Sequence, residues 1–188
     1  MRRYGISLLA VLWLGVTPLQ AAEPVAAVKE VVNGQSVDEL EWDNLMPAGF
    51  NLDSVFAQSE ALGSLDDMDP KAEQALGEMM SALQSAPVVT ALDGKMIKLP
   101  GFVVPLEGDG ETVSSFFLVP YFGACIHVPP PPSNQIVYVN YEPGVKVSNL
   151  YDAIWVTGKL TISTKTHELG TAGYALEAFV IEPYVVEE

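Results

Sequence analysis

Cys125 and His127 stand two residues apart in the run Gly123-Ala124-Cys125-Ile126-His127-Val128-Pro129-Pro130-Pro131-Pro132-Ser133-Asn134-Gln135. On an extended segment, side chains two apart point to one face, so the thiol and the imidazole share it. A thiolate and an imidazole so placed can hold a borderline metal such as zinc or copper. The same pair can act as nucleophile and base, because a neighbouring imidazole lowers a thiol pKa. A third reading is structural: a lone cysteine is commonly a small buried hydrophobe, and a lone histidine commonly makes one structural hydrogen bond. The residues leave all three open. A closed zinc site needs four ligands, and this spacing supplies two. The other histidine is His167, in the turn Thr164-Lys165-Thr166-His167-Glu168-Leu169-Gly170. His167 and Glu168 complete a site only if that turn approaches the proline loop; alone, His167 reads as an exposed hairpin residue.

The elements that must position this pair are extended. Pro129, Pro130, Pro131 and Pro132 cannot enter a helix or a central strand, so they form a rigid polyproline II connection. Tyr121 and Phe122 before it, and Asn134 and Gln135 after it, make the loop a candidate partner surface, with Trp42 as a further docking residue. Strand signals flank the loop. They run over 95–99, 102–107, 113–119, 136–140, 153–164 and 171–183, rich in Val, Ile, Phe, Tyr and Thr and punctuated by Asp93-Gly94, Pro100-Gly101 and Gly108-Asp109-Gly110. Pro105 marks an edge or a bulge, and Gly158 a bend inside a long strand. Five to six such strands predict a mainly β fold, a small OB-like antiparallel Greek-key barrel, with a sandwich as the alternative. Ahead of it lies a helical segment. Asp69 caps a helix opened by Pro70, and Ala72, Ala75, Leu76, Met79 and Leu83 share one face, with Met80 at its edge. The stretch around Trp42 reads as a short helix or docking segment, and 51–60 as one or two helical turns.

Charge narrows the partners. The 188 residues carry 9 Lys+Arg against 24 Asp+Glu, a formal net charge of −15. Phosphate binding needs a basic surface, so nucleic acid is excluded as a partner, despite the aromatic residues Phe116, Phe117, Tyr121 and Phe122. Docking on an anionic leaflet through basic residues is excluded likewise. The single cysteine leaves no intrachain disulfide. No nucleophile elbow, phosphate loop, dinucleotide fingerprint, C-x-x-C or H-E-x-x-H is present. Glu107, Asp109 and Glu111 cluster at a turn without EF-hand spacing and read as a solvated tip. The expectation is a protein that binds rather than catalyses.

The N-terminus reads as an address. Met1-Arg2-Arg3 precedes an apolar run from Ile6 to Val16, then Pro18 and Leu19-Gln20-Ala21. This pattern is a signal peptide of residues 1–21, and its apolar run falls short of the roughly 20 residues a membrane span requires. Periplasmic export follows, with no transmembrane segment after cleavage. The mature chain then divides into an acidic helical and loop segment (22–86) and a barrel domain (87–188). The first holds 13 acids against 2 lysines from Glu23 onward, the second 11 against 5. Removal of Arg2 and Arg3 leaves 7 lysines against 24 acids, a net of −17.

The 123–135 run resembles the hallmark of the domain of unknown function 3299 family of exported bacterial proteins. Three further stretches are similar to that family: 40–47 around Trp42, 92–106 around Pro100-Gly101, and Gly173-Tyr174 through Glu182-Pro183-Tyr184. The resemblance implies a periplasmic accessory protein without enzyme activity. It implies a partner in an ABC-type export system or another envelope protein, and a link to zinc supply, with Cys125 and His127 as the metal ligands. Export is testable directly: N-terminal sequencing of the protein recovered from periplasm is expected to begin at Ala22, and retention of Met1 would overturn the signal-peptide assignment.

Overall fold

A computed structural model describes residues 30–51, 55, 57, 70–108, 112–124, 129–146 and 152–185. The signal-like segment, the capping Asp69 and most of 51–60 lie outside the described residues.

Five long strands make the body: β4 (Met96–Gly108), β5 (Thr112–Val119), β6 (Val137–Lys146), β7 (Ile154–His167) and β8 (Gly170–Pro183). Their hydrogen-bonded order is β4-β5-β6-β8-β7, and β4 pairs with β7 again to close the barrel. This is the small OB-type Greek-key barrel that the strand pattern predicts. It is mixed rather than wholly antiparallel. β7 inserts as the antiparallel neighbour of β8, so β8 returns in the direction of β6, and Val137–Asn140 pair in parallel with Tyr174–Glu177.

Closure depends on one strand with two partners. Residues 96–101 of β4 pair with β7, and residues 102–108 pair with β5. The sequence pattern predicts a break at Pro100-Gly101; instead the strand runs through and changes neighbours there. Pro100 stays in register opposite Trp155, and its carbonyl accepts the Trp42 indole N–H at 2.8 Å. The expected irregularity at Pro105 is a register shift between Pro105 and Glu107. Gly158 sits at a second shift, where a Cβ would overlap the backbone carbonyl of Glu177. The two longest strands therefore approach closely only because that position has no side chain.

Alternation along the strands sorts two apolar layers. Ile97, Leu99, Phe116, Leu118, Val156 and Leu160 point inward with Tyr174 and Leu176. On the outer face, Phe117, Val119, Ile136 and Ala172 are also buried, under Ala124 and against Phe102, Val104, Tyr138 and Leu169. The barrel thus has a core inside and a smaller cluster outside, roofed by the 120–124 turn and the β7–β8 turn.

The N-terminal segment wraps this body. Val31–Val32 and Gln35–Ser36 (β1 and β2) form a hairpin through Asn33-Gly34, both at positive φ (52° and 77°). Two left-handed residues are what a type I′ turn requires, and Asn-Gly supplies them most readily. Asp38–Glu39 (β3) runs parallel beside Ile97–Lys98 of β4. A 3-10 turn follows at Trp42–Leu45, and then the helix α1 (Pro70–Gln84). Met79 and Leu83 are the buried residues of α1, with Ala72 and Ala75 half-buried on the same face; Leu76 is exposed. Lys98 ties both ends of the described chain to the barrel, reaching Glu30 at 3.4 Å and Glu182 at 3.1 Å over the Trp155 ring. Burial alone lowers the Lys98 pKa, but hydrogen bonds and charge from Glu182 and Glu30 outweigh it, and the net shift is upward.

Tyr174 fastens the wrap from within. Its hydroxyl, fully buried, donates to the Leu45 carbonyl at 2.9 Å and accepts the Val89 N–H at 2.6 Å. Burial raises its pKa above the ordinary 10.0, although the Val89 hydrogen bond pulls the other way. The stability tied to the neutral phenol is complete below the ordinary value and is lost as pH climbs through the raised one. Tyr174→Phe leaves the buried Leu45 carbonyl and the half-buried Val89 N–H without this partner and is expected to cost about 1–3 kcal/mol near neutrality. It also removes one high-pH tyrosine from the absorbance titration. Urea unfolding with equal midpoints for variant and parent would refute this role.

Candidate functional site

The loop that carries the sequence-predicted site leaves β5 at Val119 and re-enters the barrel at Val137. Its first part is a turn, in which Ala124 N–H bonds the Tyr121 carbonyl at 3.3 Å and Gly123 takes a positive φ of 79°. The turn lifts Tyr121 and Phe122 into solvent, 54% and 44% exposed, while Ala124 is buried. Phe122 stands edge-on to Phe102, with centroids 6.4 Å apart. Cys125 and His127 lie outside the described residues.

Beyond them the proline run descends into the fold. Pro129 and Pro130 are half-buried, Pro131 and Pro132 buried, and Pro132 has polyproline II angles (φ −62°, ψ 153°). The residues Ser133–Gln135 form a 3-10 turn whose side chains all bond inward. Ser133 Oγ donates to the Ala86 carbonyl at 3.3 Å, Asn134 Nδ2 to Pro87 at 2.9 Å and Gln135 Nε2 to Trp42 at 2.9 Å. Gly173 of β8 lies directly beneath, where a Cβ would press on Val88 and the Ser133 carbonyl. The structure therefore divides the sequence-predicted loop group. Tyr121 and Phe122 face outward; Asn134 and Gln135 are buried and hold the loop to the Trp42 and Ala86–Pro87 segments.

Beside the outward pair opens a cleft of about 630 Å³, lined by Trp42, Pro100, Phe102, Pro120, Pro183 and Tyr184, with Asp152 and Ala153 at its edge. Tyr184 is set by its N–H to the Ala153 carbonyl at 3.0 Å and by ring contact with Trp155 at 5.2 Å. Rings and prolines with one acidic group suit an extended apolar or proline-containing segment better than a charged metabolite. Only Trp42 of this lining stands out as a docking residue in the sequence. The rest come from the middle of β4 and from three strand ends far apart in the chain, and closure of the barrel gathers them.

His167 ends β7, exposed as its turn position predicts. Its ring stands edge-on to Phe117 at 6.1 Å, and Nδ1 accepts the Leu169 N–H at 3.3 Å. Among the described residues no three His, Cys, Asp or Glu side chains gather to hold a metal ion. Among them, too, no helix is long and apolar enough to cross a membrane.

No curated protein matches the chain. A solved structure does: the crystal structure of a DUF3299 family protein from Pseudomonas aeruginosa PAO1 is 42% identical, covers 81% of this chain and 99% of its own, and superposes with a TM-score of 0.62. The family model described as Protein of unknown function (DUF3299) matches residues 42–183, from the Trp42 turn to the last residue of β8. With the barrel, the Trp42 turn, the helix and the loop all inside that match, the chain belongs to the DUF3299 family.

Proposed function

We propose that this chain is an exported, periplasmic binding or accessory protein rather than an enzyme, and that the 121–135 loop is its working element. The observation that supports this reading is the anchoring on both sides of Cys125 and His127. Ala124 is packed into the outer cluster, and Pro131 through Gln135 are buried and bonded. Flanks held in place shorten the span that must be ordered on binding, which lowers its entropy cost.

In its finer form, the reading makes Cys125 and His127 zinc ligands. The pair supplies two of the four ligands that a closed zinc site needs, so this reading draws the others from elsewhere in the chain, from water or from a partner. A site completed by water or a partner suits capture and transfer of an ion better than structural zinc. The partner is then a component of an ABC-type export or metal-homeostasis system, or another envelope protein, docking beside the loop at the aromatic cleft.

Native mass spectrometry and zinc titration of the mature protein are expected to show one zinc ion, lost in the Cys125→Ser/His127→Ala double variant. Equal zinc uptake by both proteins would remove the metal site. A second reading, an adaptor without metal, is favoured by the exposure of Tyr121 and Phe122 beside the cleft. It predicts partner binding that survives chelator and Cys125→Ser but fails with Tyr121→Ala.

A further inference from the structure

The outer face of the barrel carries a second recess, of about 290 Å³, separate from the proline loop and the aromatic cleft. Its lining includes Glu107 from β4, Ser115 and Phe117 from β5, Tyr138 from β6, and Lys165 and His167 from β7. Ser115 is 3% exposed, and its hydroxyl has no hydrogen-bond partner among the described residues. A buried hydroxyl left unpaired is costly, so a group entering the recess and bonding to it gains what the protein alone forgoes.

The surrounding groups indicate what would enter. His167 Nδ1 already accepts the Leu169 N–H, which leaves Nε2–H as the ring's donor. Lys165 adds a second donor, with Nζ 5.8 Å from the Tyr138 ring centroid. Glu107 is an acceptor, and Ser115 can act as either. One positive and one negative side chain balance locally. An anion would meet Glu107 and a chain of net charge −15; a cation would meet Lys165. Hydroxyl groups that both donate and accept fit this mixed set, and ring walls fit the C–H face of a sugar. The volume is just under the roughly 300 Å³ at which small-molecule sites usually begin, so it suits one ring rather than a chain.

Position agrees. β5 and β6 are the second and third strands of the barrel, and the recess lies where the β7–β8 turn overhangs them. In OB barrels this face and the adjoining turns receive oligosaccharides and oligonucleotides, and the net charge disfavours the latter. We infer that the Ser115–Lys165–His167 recess binds a single neutral sugar unit, as a free monosaccharide or as the end of a glycan.

Ligand-observed NMR on the mature protein tests this with glucose, N-acetylglucosamine and, as the anionic control, glucuronate. A neutral sugar is expected to bind, and Ser115→Ala and His167→Ala are each expected to weaken it about tenfold. Ser115→Ala is also expected to leave the sugar-free melting temperature unchanged or raised, since it removes an unpaired polar atom. His167 is exposed, so His167→Ala keeps the test valid should the other variant not fold. No sugar signal at millimolar concentrations, a preference for glucuronate, or binding unchanged in both variants would overturn the assignment.

Discussion

The hydroxyl of Tyr174 is the point at which the rest of the structure meets. It lies in the barrel interior and bonds two backbone groups, one 129 and one 85 residues away. A closed barrel satisfies its own backbone groups, but the segments laid over it do not, and any peptide group they bury needs a partner. Tyr174 supplies two such partners from one atom. The Leu45 carbonyl and the Val89 N–H are thereby fixed relative to β8, and through them the Trp42 turn and the segment leading into β4.

The proline loop is fixed by the same logic from the other side. Asn134 and Gln135 donate to carbonyls in the two segments that Tyr174 holds, Pro87 beside Val89 and Trp42 beside Leu45. Three stretches remote in sequence, 42–45, 86–89 and 133–135, thus interlock over β8. Gly173 keeps the approach close enough for them to do so. The anchoring of residues 131–135 is therefore a property of the whole wrap, beyond what the prolines impose. Tyr121 and Phe122, at the edge of this arrangement, face solvent.

The barrel itself was largely legible. β-Branched and aromatic residues between turn signals mark its strands, and Gly158 was recognisable as the bend of a long strand signal. The helix was legible from its apolar spacing, and Met79 is buried with Met80 half-buried beside it. The Asn33-Gly34 hairpin carries its turn dipeptide in the sequence, but the acidic composition around it reads as helix and loop. Pro100-Gly101 misled in the opposite sense. Proline and glycine usually end a strand, but here the chain was already exchanging one neighbour for another, and no ladder needed the missing N–H.

By itself, then, the sequence determined the strand content, the barrel class, the absence of an intrachain disulfide, and a Cys-x-His pair against a proline run, because these are consequences of local pattern and composition. Tertiary structure alone decided what the patterns were for. It turned Asn134 and Gln135, expected at a partner surface, into buried ties, and left Tyr121 and Phe122 exposed. It collected the aromatic cleft from the middle of β4 and three strand ends, and it buried a serine hydroxyl beneath Lys165 and His167. Each of these depends on which residues meet across the barrel, and that is fixed by closure, register and strand exchange between segments up to 129 residues apart. No local spacing encodes such meetings, since their energy exists only once the barrel has closed.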